Sequence, residues 1–402
     1  MPEALIYEAI HSPLSPGNAE GSLYEVTPLS LTVQLLQYLL NPQRRDLSRI
    51  QSLHLACMHP IREQGGNFSR MALAQADFDH RVVGHNYYGT AGAGWSALAS
   101  ALQGLQVFPA DSLQVVGGFD SFSRLGQHLD PNPWSFNLHQ LGASRALPLP
   151  IQADLLAARL GLSPSDLDAY TESSLKKART QKGKSIQNHR LVPICDANGL
   201  AIATKHESEK DHKTEADKGS VPYLTLDPEH EGLKLLALKH FPELEQIPPT
   251  HTAYHLAPRA DGAALLLIGN TDPGSTGSRP IARILAFVES GGPPADPQSV
   301  ASEAAEHILN QTGLSAREID SWAVLEAFAA DGIRFQRKFD IPDARLNEAG
   351  GELYLGCPGG ASAAFLICRL LSVMEKKGRK RGIAALGSTS GEGGACLIEW
   401  ID

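Results

Sequence analysis

Short apolar runs and helically spaced apolar residues alternate from the start of this chain. Residues 4–9 form an apolar run suited to a buried strand, and 29–40 carry apolar side chains at helical spacing until Asn41 and Pro42 stop them. Residues 50–58 read as a second strand, 92–105 as a buried helix rich in small residues, and 112–118 as a strand closing in a Gly-Gly turn. This β-α-β rhythm predicts a mostly parallel sheet with helices on both faces. The rhythm resumes late in the chain, with strands at 261–268, 282–288, 323–325, 382–386 and 395–401 and helices at 299–311 and 369–377. The stretch between differs in texture. Residues 153–160 and 165–179 read as helices, the second opened by Ser163 and Pro164. Residues 204–220 (TKHESEKDHKTEADKGS) are almost wholly polar or charged and predict a solvated, mobile excursion. Two βα zones around an insertion predict a duplicated α/β core.

Composition narrows this picture. At 402 residues the chain exceeds one hydrophobic core, and 42% apolar residues fill two lobes or more. The net charge of -9 argues against nucleic acid or an anionic membrane as the main partner. Five scattered cysteines (57, 195, 357, 368 and 396) lack CxxC spacing, so neither a disulfide framework nor a zinc site is expected. The N-terminus has no secretory pattern and no apolar run reaches the length of a membrane span. The reading is a cytoplasmic protein that holds no metal. Four of the cysteines, all but Cys357, read as inert core.

Candidate chemistry lies in six segments, in order. They are Asn86 to Gly94 (NYYGTAGAG), Val115 to Ser123 (VVGGFDSFS), Asp261 to Ala264 (DGAA), Leu325 to Ala330 (LEAFAA), Gly356 to Gly360 (GCPGG) and Gly391 to Ala395 (GEGGA). Together they resemble thiolases of the acetyl-CoA acetyltransferase type. The resemblance implies a thiolase fold: a duplicated five-stranded α/β/α/β/α sandwich with an inserted loop domain. The division it suggests is a first half at 1–125 with its last strand at about 261–270, a loop domain at 126–255, and a second half at 271–402. It also implies a CoA thioester as ligand, no cofactor, and assembly through the first half. The partner is a second copy, another thiolase-like subunit or an OB-fold companion.

The same resemblance exposes a loss. A thiolase needs a thiolate at a helix N-terminus, a histidine, an asparagine and a second cysteine. The matching positions are Ala91, Cys357, Leu325 and Gly387; Ala257 stands where a pantetheine-side serine is usual. Thr90 is the nearest hydroxyl to Ala91, but an alcohol needs a strong neighbouring base. The pocket-shaping residues Gly92, Gly94, Glu326, Gly356, Pro358, Gly391 and Gly393 are present. The first expectation is therefore a protein without thiolase chemistry, a non-catalytic or partner subunit in acyl-CoA metabolism. A retro-aldolase-like enzyme using Cys357, Tyr354 and Tyr88 is the first alternative, and an acyltransferase with a displaced thiol at Cys357 the second. Each has a plainer reading: Cys357 as a small buried residue, and Tyr354, Tyr87 and Tyr88 as packing aromatics. Glu326 reads equally as a backbone organiser and a helix cap. His85, His251 and His255 read as hydrogen-bonding residues. Lys176, Lys177 and Arg179 lie where relatives approach the CoA nucleotide, and a solvated face is their plainer role.

Overall fold

In a computed structural model the described residues are 4–39, 49–109, 111–126, 147–182, 190–211, 231–270, 279–293, 296 and 298–401. The strands that organise the molecule are β1 (Ala4–His11), β2 (Ile50–Cys57), β3 (Val83–Tyr88), β4 (Leu113–Asp120), β5 (Ala260–Gly269), β6 (Ala282–Gly291), β7 (Ser321–Val324), β8 (Arg381–Gly387) and β9 (Glu392–Trp400). The helices are α1 (Pro28–Leu39), α2 (Phe68–Gln75), α3 (Ala93–Val107), α4 (Leu149–Leu160), α5 (Pro164–Lys182), α6 (Glu231–His240), α7 (Ser299–Thr312), α8 (Ala329–Phe339) and α9 (Ser362–Lys377).

These strands form one large mixed sheet in the order β7-β8-β9-β6-β1-β5-β4-β2-β3. The order contains a repeat. In the first half, β1 runs antiparallel to β5, β5 antiparallel to β4, and β4 and β3 parallel to β2. In the second, β6 runs antiparallel to β9, β9 antiparallel to β8, and β8 parallel to β7. The fifth position of the second half holds a single parallel bridge, Trp322 to Leu346, where the first half has the full strand β3. The halves join edge to edge where residues 4–6 of β1 pair with 282–284 of β6.

Helices α3 and α9 occupy equivalent places in the two repeats and pack against both halves of the sheet. Their small residues let them come close. A Cβ on Gly94 would fall 2.7 Å from the Cβ of Ala363, so Gly94 marks a contact that no larger residue permits. Trp95, Leu98, Phe365 and Leu366 share this central core with Val116, Leu266, Ile284 and Ile398 of the strands. Removing that apolar surface from water dominates stability.

The sequence pattern missed β3, α2 and α6 and started α9 late. Strand β3 (VGHNYY) is an edge strand with no fully buried residue, so it lacks an apolar run. Helix α2 spans only two turns. Helix α9 starts at Ser362, seven residues before the predicted 369, because its first two turns are apolar all round and carry no amphipathic period. One prediction is overturned. Residues 204–210 are not wholly solvated: Thr204 and Lys205 are exposed, but His206, Ser208 and Lys210 are packed in. His206 stacks on His11 at 5.3 Å and accepts the Leu14 N–H, and Lys210 is 2% exposed, donating to the carbonyls of Tyr254 and Leu256. Hydrogen-bond partners offset much of the cost of burying polar groups, which composition alone does not reveal. The rest of that stretch, 212–220, lies outside the described residues.

Candidate functional site

The start of α3 faces the turn between β8 and β9. Ala91 immediately precedes Gly92, the cap residue of α3, and is 6% exposed in the central core. First-turn N–H groups and the helix dipole make such a place suited to a thiolate. Here it presents a methyl group. The nearest polar groups are hydroxyls and one carboxylate. Thr90 Oγ1 is 2.8 Å from Ser390 Oγ and donates to Glu392 Oε2 at 3.3 Å, and Ser388 Oγ lies 3.2 Å from Ser390 Oγ. Gly387 ends β8 on the opposite wall. A Cβ there would sit 2.7 Å from the carbonyl oxygen of Gln298 and 3.0 Å from its Cα. The space for a side chain at this position is filled by backbone. Gly391 and Gly393 flank Glu392 at the entry to β9.

The second loop, 356–361, leads into α9. The Cys357 N–H donates to the Pro258 carbonyl at 2.8 Å, and its own carbonyl accepts from Ala260 N at 3.1 Å. Its Sγ is 3.5 Å from Ser362 Oγ, and burial pushes the thiol up. Asp120, wholly buried at the end of β4, fixes this loop. Its carboxylate accepts from the backbone N–H of Gly360 (2.7 Å), Met58 (2.8 Å) and His59 (3.2 Å), and from Cys57 Sγ (3.6 Å). His59 Nδ1 lies 3.4 Å from the same carboxylate. Sequence reasoning missed this grouping of a sulfur, a carboxylate and an imidazole. The spacing of Cys57 and His59 was visible, but their convergence on Asp120 depends on the pairing of β2 with β4. The group does not make a nucleophile. Burial, and then the Asp120 charge, push the Cys57 thiol far above its ordinary range, and its proton points at Asp120 rather than at an imidazole.

Leu325 is 5% exposed, and its N–H donates to Ala385 O. Glu326 is wholly buried. It accepts from Tyr170 Oη (2.5 Å) and Ser174 Oγ (3.0 Å) of α5, and its N–H donates to Glu352 Oε2 (3.2 Å), which Arg369 holds through the other oxygen at 2.7 Å. Glu326 therefore ties α5 to the loop before α8 and does not cap a helix. The three candidates for altered chemistry lie in three settings. The Tyr354 ring is buried in the core of the second half. Tyr88 is 47% exposed at the end of β3 and donates to the Gly66 carbonyl at 2.7 Å, so it is not a pocket phenol. Cys357 adjoins Ser362. Tyr87 Oη meets His54 Nδ1 at 2.8 Å, on the strand where His85 stacks on His54.

His251 Nδ1 pairs with Asp154 (3.1 Å) and His255 Nε2 with Asp168 (2.9 Å), fastening residues 250–255 to α4 and α5. Lys177 is paired with Asp343 at 2.7 Å, and Arg179, which is exposed, donates to the Lys210 carbonyl at 3.2 Å. Among the described residues no cluster of histidine, cysteine, aspartate or glutamate is arranged to hold a metal, and no helix is long and apolar enough to cross a membrane.

Comparisons with known proteins follow the same lines. Residues 278–400 match the family described as Thiolase, C-terminal domain. The chain is 27% identical over 420 residues to a beta-ketoadipyl-CoA thiolase of Pseudomonas knackmussii, covering 99% of each chain. It is 24% identical over 404 residues to a 3-ketoacyl-CoA thiolase of Bacillus subtilis, covering 99% of this chain and all of the other. Its fold is similar to the crystal structure of the Bacillus anthracis acetyl-CoA acetyltransferase, with a TM-score of 0.81 and 22% identity over 100% of this chain and 99% of that one.

Proposed function

From the chain's membership of the thiolase superfamily, we propose that it is an acyl-thioester-binding protein without thiolase chemistry, working as a non-catalytic or partner subunit. The observation that carries this reading is the pairing of Ala91 with Gly387. The first offers no nucleophile at the head of α3, and the second leaves no volume for a side chain. Carbon–carbon chemistry on a thioester needs a thiolate to take the acyl group and a group to move the α-proton. Neither remains at its usual position. The thiols of Cys57 and Cys357 are both pushed up by burial, which favours the inert, protonated form and speaks against a displaced nucleophile. The settings of Tyr88 and Tyr354 give a retro-aldol reading no support. The inserted segment 126–255 shapes the acyl-thioester side in this reading. Assembly with a second copy, a thiolase-like subunit or an OB-fold companion belongs to the same proposal, and so does a cytoplasmic location.

The test is thiolysis of acetoacetyl-CoA by the purified protein, with CoA binding measured alongside by calorimetry. Binding without cleavage, at least about 10⁴-fold below an ordinary thiolase, is the expected result, a loss typical when residues that act as a unit are gone. Turnover within tenfold of an ordinary thiolase would refute it.

A further inference from the structure

Residues 206–210 cross three stretches of backbone at the site and hold each one. Ser208 Oγ donates to the Tyr354 carbonyl, three residues before Cys357. Lys210 Nζ donates to the Tyr254 carbonyl at 2.7 Å and to the Leu256 carbonyl at 3.0 Å, next to Ala257. The Glu207 N–H donates to the Leu14 carbonyl at 2.9 Å, and a little further on the Gly17 N–H donates to the Arg259 carbonyl at 3.0 Å. The carboxylates of Glu207 and Glu209 take the Ser22 N–H at 3.1 Å and Asn18 Nδ2 at 3.0 Å. The segment is a strap across the loops that carry Ala257 and Cys357.

Two stacked imidazoles fix the leading end of the strap. The His206 ring lies 5.3 Å from the His11 ring with 17° between their planes, and Phe365 of α9 meets both edge-on, at 5.8 and 5.1 Å. His11, the last residue of β1, is 1% exposed, and His206 is partly exposed. Their partners fix the tautomers. A carbonyl only accepts, so His11 Nδ1, 2.8 Å from the Ser12 carbonyl, carries a proton. A backbone N–H only donates, so His206 Nδ1, which takes the Leu14 N–H at 3.0 Å, carries a lone pair. An imidazolium has no such lone pair, and protonating His206 breaks the Leu14 bond. A second proton on His11 keeps its Ser12 bond but sets a charge against the His206 ring. Beside the pair stand Arg369 of α9 and Arg190, held by Glu352 at 2.7 Å and Glu375 at 3.0 Å. Both guanidinium groups repel a further positive charge. Cys368 of α9 donates to the Ile10 carbonyl at 3.5 Å, and burial pushes its thiol up to about 12; Glu8 is the acid of β1.

We propose that the stacked His11–His206 pair is an acid-released latch: with both rings neutral the strap is docked, and protonating the pair undocks residues 206–210 and frees the loops around Leu256 and Tyr354. The latch is independent of the acyl-thioester reading above and stands whatever occupies the site. Burial lowers His11 to about 4, and Arg190 and Arg369 add to the fall against the pull of its Ser12 bond. Burial, then His11 and Arg369, lower His206 well below its ordinary value. The docked strap therefore favours neutral rings, while released rings titrate near the ordinary value of about 6.5. Docking is complete above that value and loses ground as pH falls through it toward 4, by about tenfold per pH unit for each ring.

The experiment is amide hydrogen exchange read by mass spectrometry on the whole protein at pH 7 and pH 5.5, corrected for the intrinsic pH dependence of exchange. The reporters are peptides covering 12–17 and 204–211, which hold the Leu14 and Glu207 amides, and β8 and β9 serve as the reference. In wild type, opening of the reporters rises on the order of a hundredfold at the lower pH, about tenfold for each ring, and the reference strands stay protected. His206→Gln keeps an acceptor for the Leu14 N–H but takes no proton, so the rise falls to about tenfold. His11→Phe keeps a stacked ring, takes no proton and gives the same reduced rise by a separate route. No rise in wild type overturns the latch. So does a rise shared equally by β8 and β9, which would mean that acid loosens the whole fold. An undiminished rise in either variant overturns it as well.

Discussion

Helices α3 and α9 are the same element of the repeat seen twice, and the loops that start them have diverged. The loop before α9 is clamped: Asp120 takes the Gly360, Met58 and His59 amides on a fully buried carboxylate. The loop before α3 is held at its polar edge by exposed hydroxyl and carboxylate contacts among Thr90, Ser390 and Glu392. One loop keeps its form through an anchor that takes no part in acyl-transfer chemistry. The other has a glycine cap and a close approach to Glu392, with the methyl group of Ala91 just before the helix. The two loops are thus held by different means, one by a buried carboxylate and one by hydroxyl contacts at its edge.

Breaking the clamp has the largest effect. Asp120→Ala leaves two buried N–H groups and one part-buried N–H group unpaired and costs about 4 kcal/mol in urea unfolding, given about 1–3 kcal/mol for each lost partner. A cost under about 1 kcal/mol would mean that the α9 loop is held by something else. Gly387→Cys tests the filled wall. Forcing a side chain against the Gln298 backbone costs about 1–3 kcal/mol and gives no thiol that iodoacetamide alkylates quickly. Ala91→Cys tests the α3 loop in the opposite sense. Its thiol lies at a helix N-terminus and titrates below that of Cys357, so alkylation at pH 7 is several-fold faster than in the parent. No increase would show that the helix end no longer favours an anion. Thr90→Val, at the partly exposed edge, changes stability by no more than about 1 kcal/mol.

A pH series sharpens the contrast within the first half. Burial lowers His54 from its ordinary value to about 4, while Tyr87, Ser52 and Gln114 surround its ring. Its neutral form is favoured in the fold. The stability it supports is therefore present above pH 6.5 and lost as pH falls through 6.5 toward 4. In urea unfolding at pH 7 and pH 4.5, the stability difference between the parent and His54→Gln shrinks at the lower pH. A constant difference would mean that the imidazole charges freely in the native state.

Much of this was legible in the chain. The alternating runs at 4–9, 50–58, 112–118 and 261–268 are buried strands, and the order of the glycine-rich segments carried the family. Strand β3 was not legible because an edge strand that buries little carries no apolar signal. The burial of His206 and Lys210 was not legible because their partners, Leu14, Tyr254 and Leu256, are supplied by other parts of the chain. At the site, the residue types at Ala91, Leu325, Cys357 and Gly387 could be read directly. The occupied space beside Gly387 and the Asp120 clamp could not, because each depends on segments that only the fold brings together.

The central question is whether any sulfur of this chain takes up an acyl group. Intact-protein mass spectrometry after incubation with acetyl-CoA and acetoacetyl-CoA, with bound CoA followed in parallel, asks this directly. The prediction is bound CoA with no acyl adduct on any of the five cysteines. A stoichiometric acyl-cysteine that forms and is discharged by added CoA would contradict it.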